Sequence, residues 1–182
     1  QASRSSHCWD NAITATWAKY NWTILCRYQY KVRQKDNKKK TALVDDETQR
    51  GRLSFGYASS HWGLRLQGDA AYNSYTDESF GWMTTLSGNY TVWHVRLAGT
   101  IGYFNTDGYS SRIYSYERGP LYSFSFPAFY GEGIRYALFA RFDISSSLLV
   151  IAKCGTTDYF DRDHISSGLQ QIDHSSQTDL EL

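Results

Sequence analysis

Residues 22–34, WTILCRYQYKVRQ, alternate between apolar and polar side chains almost without interruption. The apolar positions are Trp22, Ile24, Cys26, Tyr28, Tyr30 and Val32. The positions between them are Thr23, Leu25, Arg27, Gln29, Lys31 and Arg33. Because successive side chains of a strand point to opposite faces, this period of two predicts a β-strand with one apolar face and one solvated face.

Eight further segments carry the same pattern. The clearest are residues 62–73 and 134–144, and the weaker ones are residues 12–18, 50–57, 81–90, 95–104, 148–157 and 177–182. The chain has 15 Tyr, 9 Phe and 6 Trp beside only 2 Pro, a composition that strands favour. Its 182 residues suit one unit. We therefore predict a single all-β domain over residues 1–182 with about nine strands.

The connections between these segments alternate strictly in length. The short ones cover residues 19–21, 58–61, 91–94 and 145–147, and the long ones cover residues 35–49, 73–80, 105–133 and 158–176. An antiparallel up-and-down meander puts alternate connections at opposite rims, so all short turns would share one rim. Tight turns on one rim and long loops on the other are typical of outer-membrane barrels. The pattern therefore predicts part of a transmembrane, outer-membrane-type β-barrel.

Composition excludes some other classes of protein. The longest apolar run, residues 148–152, is far shorter than the roughly 20 residues that a spanning helix needs. A barrel strand, in contrast, crosses with about 10 residues and shows lipid only every second side chain. The chain has 19 Lys and Arg against 18 Asp and Glu, so its overall charge gives no reason to expect a nucleic acid partner.

The strand count predicts a barrel larger than this chain. With the long loops outside, the first and last strands both run inward, and an odd number leaves the first strand without a partner. Bacterial barrels of this kind have even strand counts. We expect at least ten strands, with this chain as the C-terminal part of the barrel.

The connection over residues 105–133 is too long to be a simple turn. Within it, residues 113–117 and 121–125 flank Arg118, Gly119 and Pro120, which predicts a hairpin. We assign the segment to a long external loop that either rises above the rim or folds inward as a constriction.

Aromatic residues mark both ends of the strands. Trp22, Trp62 and Trp93 lie beside short turns, whereas Tyr30, Tyr72 and Tyr103 approach the long loops. Two membrane-interface girdles would have this arrangement. The alternative is the ordinary enrichment of aromatic residues in strands.

If the apolar faces meet lipid, the charged residues between them face the barrel lumen. This set comprises Arg27, Lys31, Arg33, Arg52, Arg65, Asp69, Arg96, Arg135, Arg141, Asp143 and Lys153. Enclosed charges must be paired or hydrated. They could line a water-filled path or form structural ion pairs, and the sequence leaves both open.

Other candidate sites carry weaker signals. Lys38, Lys39 and Lys40 could hold lipopolysaccharide phosphates or could simply be solvated. Asp158, Asp161, Asp163 and His164 match no EF-hand loop, so we expect no metal. No Ser lies in a GxSxG turn, and we expect neither enzymatic activity nor a cofactor. Cys26 and Cys154 fall on apolar strand faces, where Cys acts as a small hydrophobe.

Two stretches carry a family resemblance. They are SRIYSYERGPLYSFSFPAFYGEGIRYALFARF, residues 111–142, and DRDHISSGLQQIDHSSQTDLEL, residues 161–182. Both resemble the C-terminal β-barrel region of Gram-negative helix-hairpin-helix-containing outer-membrane proteins. The resemblance implies a barrel in the cell outer membrane. The helical DNA-binding part is not present in this chain, so we expect no nucleic acid to bind this segment.

Three functions fit these observations. The first is an outer-membrane barrel that acts as a porin-like channel, takes up solutes or anchors an upstream domain of the same protein, with lipid and lipopolysaccharide as its surroundings. The second is a soluble β-barrel or β-sandwich whose aromatic-rich interior binds a small apolar ligand or a sugar. An outer-membrane hydrolase is the third, and it lacks a supporting motif.

Overall fold

The computed structural model describes residues 7–36, 43–75, 77–115, 117–118, 124–125, 127–145, 148–165 and 173–181. Over these residues the chain is all-β, apart from one 3-10 turn at Tyr109–Ser111. Among the described residues there is no helix of the length and apolarity that a membrane crossing requires.

Nine strands form one sheet in which each strand is antiparallel to its neighbours along the chain. They are β1 (Cys8–Lys19), β2 (Trp22–Asp36), β3 (Leu43–Ala58), β4 (Trp62–Asn73), β5 (Ser79–Val92), β6 (Val95–Thr106), β11 (Gly131–Ser145), β12 (Leu148–Tyr159) and β13 (Ser176–Glu181). The predicted all-β, nine-stranded up-and-down meander is confirmed. The sheet is open, with β1 and β13 as its edges.

Two of the predicted strand boundaries are wrong by more than three residues. Strand β3 begins at Leu43 rather than residue 50, and β1 begins at Cys8 rather than residue 12. The first long loop is consequently much shorter than residues 35–49. One of the acidic residues of β3, Asp46, lies opposite Arg33 of β2 and forms an ion pair with Lys35, which stabilises this polar segment in the ladder. Lys38, Lys39 and Lys40 lie outside the described residues.

The register divides the sheet into two faces of opposite character. One row of successive Cα partners from β2 to β6 is Arg27, Arg52, Asp69, Met83 and Phe104. We call the face that contains this row the inner face. A parallel row on the outer face, from β2 to β11, is Ile24, Phe55, Leu66, Leu86, Ile101 and Tyr136.

The apolar outer face is exposed, whereas charged residues of the inner face are buried. Leu66 is 47% exposed and Leu138 is 67% exposed on the outer face, whereas Arg135 is 5% and Lys153 is 1% exposed on the inner face. A cavity of about 610 Å³ is lined by residues from eight of the nine strands, β1 to β6, β11 and β12. One cavity can touch so many neighbouring strands only if the sheet curves around it, so the inner face is concave.

Part of the connection after β6 packs against the inner face. The connection contains four short strands, β7 (Ile113–Tyr114), β8 (Glu117–Arg118), β9 (Phe124–Ser125) and β10 (Ala128–Phe129). Strand β7 pairs with β10, and β8 pairs with β9. Ile113 and Phe129 are buried in one cluster with Ala71, Met83 and Phe104 of the inner face. Of the two arrangements that the sequence left open, the described part of this loop therefore adopts the inward one.

Candidate functional site

The inner face brings the predicted lumen charges together. All eleven have inner-face register positions on β2, β3, β4, β6, β11 and β12, namely Arg27, Lys31, Arg33, Arg52, Arg65, Asp69, Arg96, Arg135, Arg141, Asp143 and Lys153. They share one face because side chains two positions apart along a strand point to the same side of the sheet.

On the β1–β4 wall, each inner-face carboxylate is engaged by several donors. Asp10 accepts hydrogen bonds from Gln29 Nε2 at 2.7 Å and from Lys31 Nζ at 3.2 Å. Asp69 accepts from Arg52 Nε at 2.6 Å and from Gln67 Nε2 at 2.7 Å. These contacts stabilise the strands at their long-loop half.

Asp46 is held in the same way nearer the long loops. It forms an ion pair with Lys35 and accepts a hydrogen bond from Asn73 Nδ2 at 2.7 Å. The same Asn73 amide donates to Thr48 Oγ1 at 3.0 Å. Asp46 and Asn73 are both buried. Their ion pair and hydrogen bonds therefore link β2, β3 and β4 at a place that is shielded from water.

The opposite wall contains the most deeply buried cations. Arg135 Nη1 and Nη2 donate to the two carboxylate oxygens of Asp179 at 2.8 and 3.2 Å, and Nη1 also donates to Thr157 Oγ1 at 3.1 Å. Lys153 Nζ lies 4.0 Å from Glu181 Oε1. Both pairs join β13 to residues further inside the sheet, because Asp179 and Glu181 belong to that edge strand.

A second concentration of charge lies where the inward loop approaches the β2–β4 wall. A pocket of about 170 Å³ is lined there by four arginines, Arg27, Arg50, Arg52 and Arg112, and by one acidic residue, Asp69. A larger cavity of about 460 Å³ lies beside it towards the long loops. This part of the inner face therefore places four arginines and one carboxylate around one small pocket.

Aromatic rings hold two of these guanidinium groups in place. Arg50 Cζ lies 5.3 Å from the centroid of the Tyr114 ring, and Arg112 Cζ lies 4.2 Å from that of Tyr109. Arg112 Nε also donates to the Tyr114 hydroxyl at 2.5 Å. Cation–π contacts fix the plane of an arginine without neutralising its charge.

The six predicted interface aromatics lie on the outer face or in a turn. Trp22, Tyr30, Trp62, Tyr72 and Tyr103 have outer-face register, and Trp93 is in the β5–β6 turn with its side chain 95% exposed. Tyr57 lies between Trp22 and Trp62, with ring centroids 4.9 Å from each. At the other rim the Tyr103 hydroxyl donates to Glu132 Oε1 at 2.6 Å.

The acidic segment after β12 is organised by an arginine. Arg162 donates to Asp161 and to the Tyr130 carbonyl oxygen at 3.1 Å, and its guanidinium lies 4.4 Å from the Tyr159 ring. Hydrogen bonds from Arg162 hold the pKa of the Asp161 carboxyl below its ordinary value. Within the described ranges, no three His, Cys, Asp or Glu side chains are grouped to hold a metal ion.

Gly131 is the residue against which this arginine packs. Its φ of +85° is left-handed, and a Cβ there would overlap Arg162 Nη2 and Asp161 Oδ2. We expect Gly131→Ala to cost about 1–2 kcal/mol and to release residues 160–165 from β11. Protease sensitivity of that segment measures the release. Gly51→Ala, where no atom lies within 4 Å, is the control, and equal sensitivity of the two variants would contradict the packing described.

Several residues of the site were not predicted from the sequence. Asp10 and Asp46 lie before the predicted starts of their strands, although the period of two continues through both. Arg50 shares the parity of Arg52, and the same rule could have found it. Arg112 belongs to the inward loop, where the sequence has no alternating pattern from which its position could be predicted.

No protein-family model matches the chain, and no curated protein or solved structure matches it significantly.

Proposed function

We propose that this chain forms the wall of a β-barrel in the Gram-negative outer membrane, and that the barrel passes small solutes through its polar interior. The exposure of the apolar outer face is the observation that supports this most. Soluble proteins rarely expose large contiguous apolar patches. Here whole rows of leucine, isoleucine, phenylalanine and tyrosine are 40–48% exposed, among them Phe55, Leu66, Leu86, Ile101 and Tyr136.

A soluble binder of apolar ligands would need the reverse arrangement. Its aromatic and aliphatic residues would enclose the ligand, and its charges would meet water. In this chain Trp22, Leu66 and Leu138 are 55%, 47% and 67% exposed, while the concave face holds Arg135 and Lys153. The outer face therefore suits acyl chains, and the two aromatic rims suit the membrane interfaces.

The inner cavity favours transport over a purely anchoring role. A solute path needs an open polar space inside the barrel. The cavity of about 610 Å³ and the polar pockets beside the inward loop supply such a space. Both edge strands, β1 and β13, must each pair with a further strand, because an unpaired strand edge is not tolerated in lipid and the two edges run in the same direction.

Extraction and electrical recording test the proposal together. The full-length protein is expected to need detergent, to migrate on gels in a heat-modifiable way and to conduct ions in planar bilayers. Arg65→Gln and Arg141→Gln remove inner-face charges and are expected to change the conductance. A monodisperse protein that stays in solution without detergent would contradict the membrane proposal, and an inserted barrel without conductance would contradict the transport role.

A further inference from the structure

The inner face carries an excess of positive charge. Its cations are Arg27, Lys31, Arg33, Lys35, Arg50, Arg52, Arg65, Arg96, Arg135, Arg141 and Lys153. Its anions are Asp10, Asp46, Asp69, Asp143, Asp179 and Glu181. On the described strands of the sheet, eleven cations therefore face six anions on a concave surface, although the net charge of the whole chain is only +1. A concave wall of one sign concentrates counter-ions of the other.

This excess is greatest beside the inward loop. Arg27 and Arg52 are direct cross-strand partners, an arrangement in which like charges repel. Arg52 forms an ion pair with Asp69, which also accepts a hydrogen bond from Gln67. Within the described residues, no carboxylate lies at ion-pair distance from Arg27 or Arg50.

The loop adds a further cation at this point. Arg112 lines the same pocket as Arg27 and Arg50 from the side opposite the strands, and it too lacks a carboxylate partner among the described residues. Tyr109 and Tyr114 fix the guanidinium planes of Arg112 and Arg50. Asp69, the one carboxylate that lines this pocket, forms its ion pair with Arg52, whereas Arg27, Arg50 and Arg112 have no such pair among the described residues.

We infer that Arg27, Arg50 and Arg112 form an anion-binding constriction that makes the channel prefer anionic solutes, in particular those with phosphate or carboxylate groups. Guanidinium groups donate in pairs to the oxygens of such groups, and the aromatic contacts orient the donors in advance. The pocket of about 170 Å³ admits an anion of the size of inorganic phosphate, and the adjoining cavity of about 460 Å³ leads to the long-loop rim. This inference rests on the proposed transport function for its ion preference, but not for the binding itself.

Reversal potentials in a potassium chloride gradient test the preference. The full-length channel is expected to favour chloride over potassium. Arg27→Gln and Arg50→Gln should each lower the permeability ratio by up to about sixteenfold, because removing one unit charge at ~5 Å in water disfavours chloride about fourfold and favours potassium about fourfold. Lys19→Gln removes an equal charge from the outer face and should leave the ratio unchanged.

Binding of inorganic phosphate to the detergent-solubilised protein, measured by calorimetry, separates the two claims. The wild type should bind phosphate, the Arg27→Gln and Arg50→Gln variants should bind it at least fourfold more weakly, and Lys19→Gln should bind like the wild type. Binding without conductance would support the anion site and contradict the channel. Conductance without anion preference would overturn the anion site but not the channel. The same holds if anion preference and phosphate binding are unchanged in Arg27→Gln and Arg50→Gln. Absence of both would overturn both.

Discussion

Replacing Gly155 by leucine is expected to detach the last strand from the sheet. Gly155 lies on the inner face of β12, between Arg135 of β11 and Asp179 of β13. A Cβ at this position would lie 2.6 Å from Arg135 Cζ and 2.8 Å from Asp179 Oδ2. The guanidinium group reaches across β12 only because no side chain is present there. A leucine would displace it and leave a buried cation without its carboxylate.

We expect Gly155→Leu to lower the free energy of unfolding by about 3 kcal/mol, the lower end for a broken buried ion pair because Asp179 is partly exposed. Denaturant unfolding in detergent micelles measures this change, and hydrogen exchange over residues 176–181 locates it. Gly68→Leu is the control, because no atom lies within 4 Å of that outer-face position. Similar losses for the two variants would show that the Arg135–Asp179 bridge does not hold β13.

Replacing Phe104 by alanine is expected to release the inward loop. Phe104 is fully buried, and its ring centroid lies 5.1 Å from that of Phe129 and 5.7 Å from that of Tyr159. Its ring therefore packs between the loop, through Phe129, and β12, through Tyr159. A cavity of phenylalanine size in such a core costs about 3–5 kcal/mol, and here the loss would fall on the contacts of Phe104 with the loop residues Ile113 and Phe129.

Limited proteolysis and unfolding together measure the effect of Phe104→Ala. Cleavage within residues 105–133 should become faster, and the free energy of unfolding in detergent should fall by the amount stated. Leu138→Ala is the matched control on the outer face, where 67% of the residue is exposed, and it should change stability by less than about 0.5 kcal/mol. Unchanged cleavage in the Phe104 variant would mean that other contacts hold the loop.

Strands were predictable where the chain alternates on both sides of a clear turn. The prediction of residues 62–73 agrees with β4 at both ends, since apolar residues alternate throughout it and turns bound it. Strand β3 was predicted too short because its first seven residues, LVDDETQ, look like a polar loop. They remain in the ladder through partners on β2 and β4, such as Lys35 and Asn73, which no local pattern reveals.

The candidate site was predictable to a similar extent. Parity alone grouped the charged residues on one face, because it depends only on position along a strand. The particular ion pairs were not predictable. Arg135 contacts Asp179 across the intervening strand β12, and it can do so only because residue 155 on that strand is a glycine without a side chain. The inward packing of the loop depends on the contacts of Ile113 and Phe129 with the cluster around Phe104. These contacts join separate segments of the chain, so no local sequence pattern predicts them.

A spin-label scan of β4 in lipid vesicles measures the orientation of the two faces directly. Cys8, Cys26 and Cys154 are all free and would first be replaced by alanine. Nitroxides at residues 64, 66, 68 and 70 should be accessible to oxygen dissolved in the acyl chains, and those at residues 65, 67 and 69 to a water-soluble nickel complex. A scan with these two sets exchanged, or with no alternation along the strand, would contradict a barrel whose apolar face meets lipid.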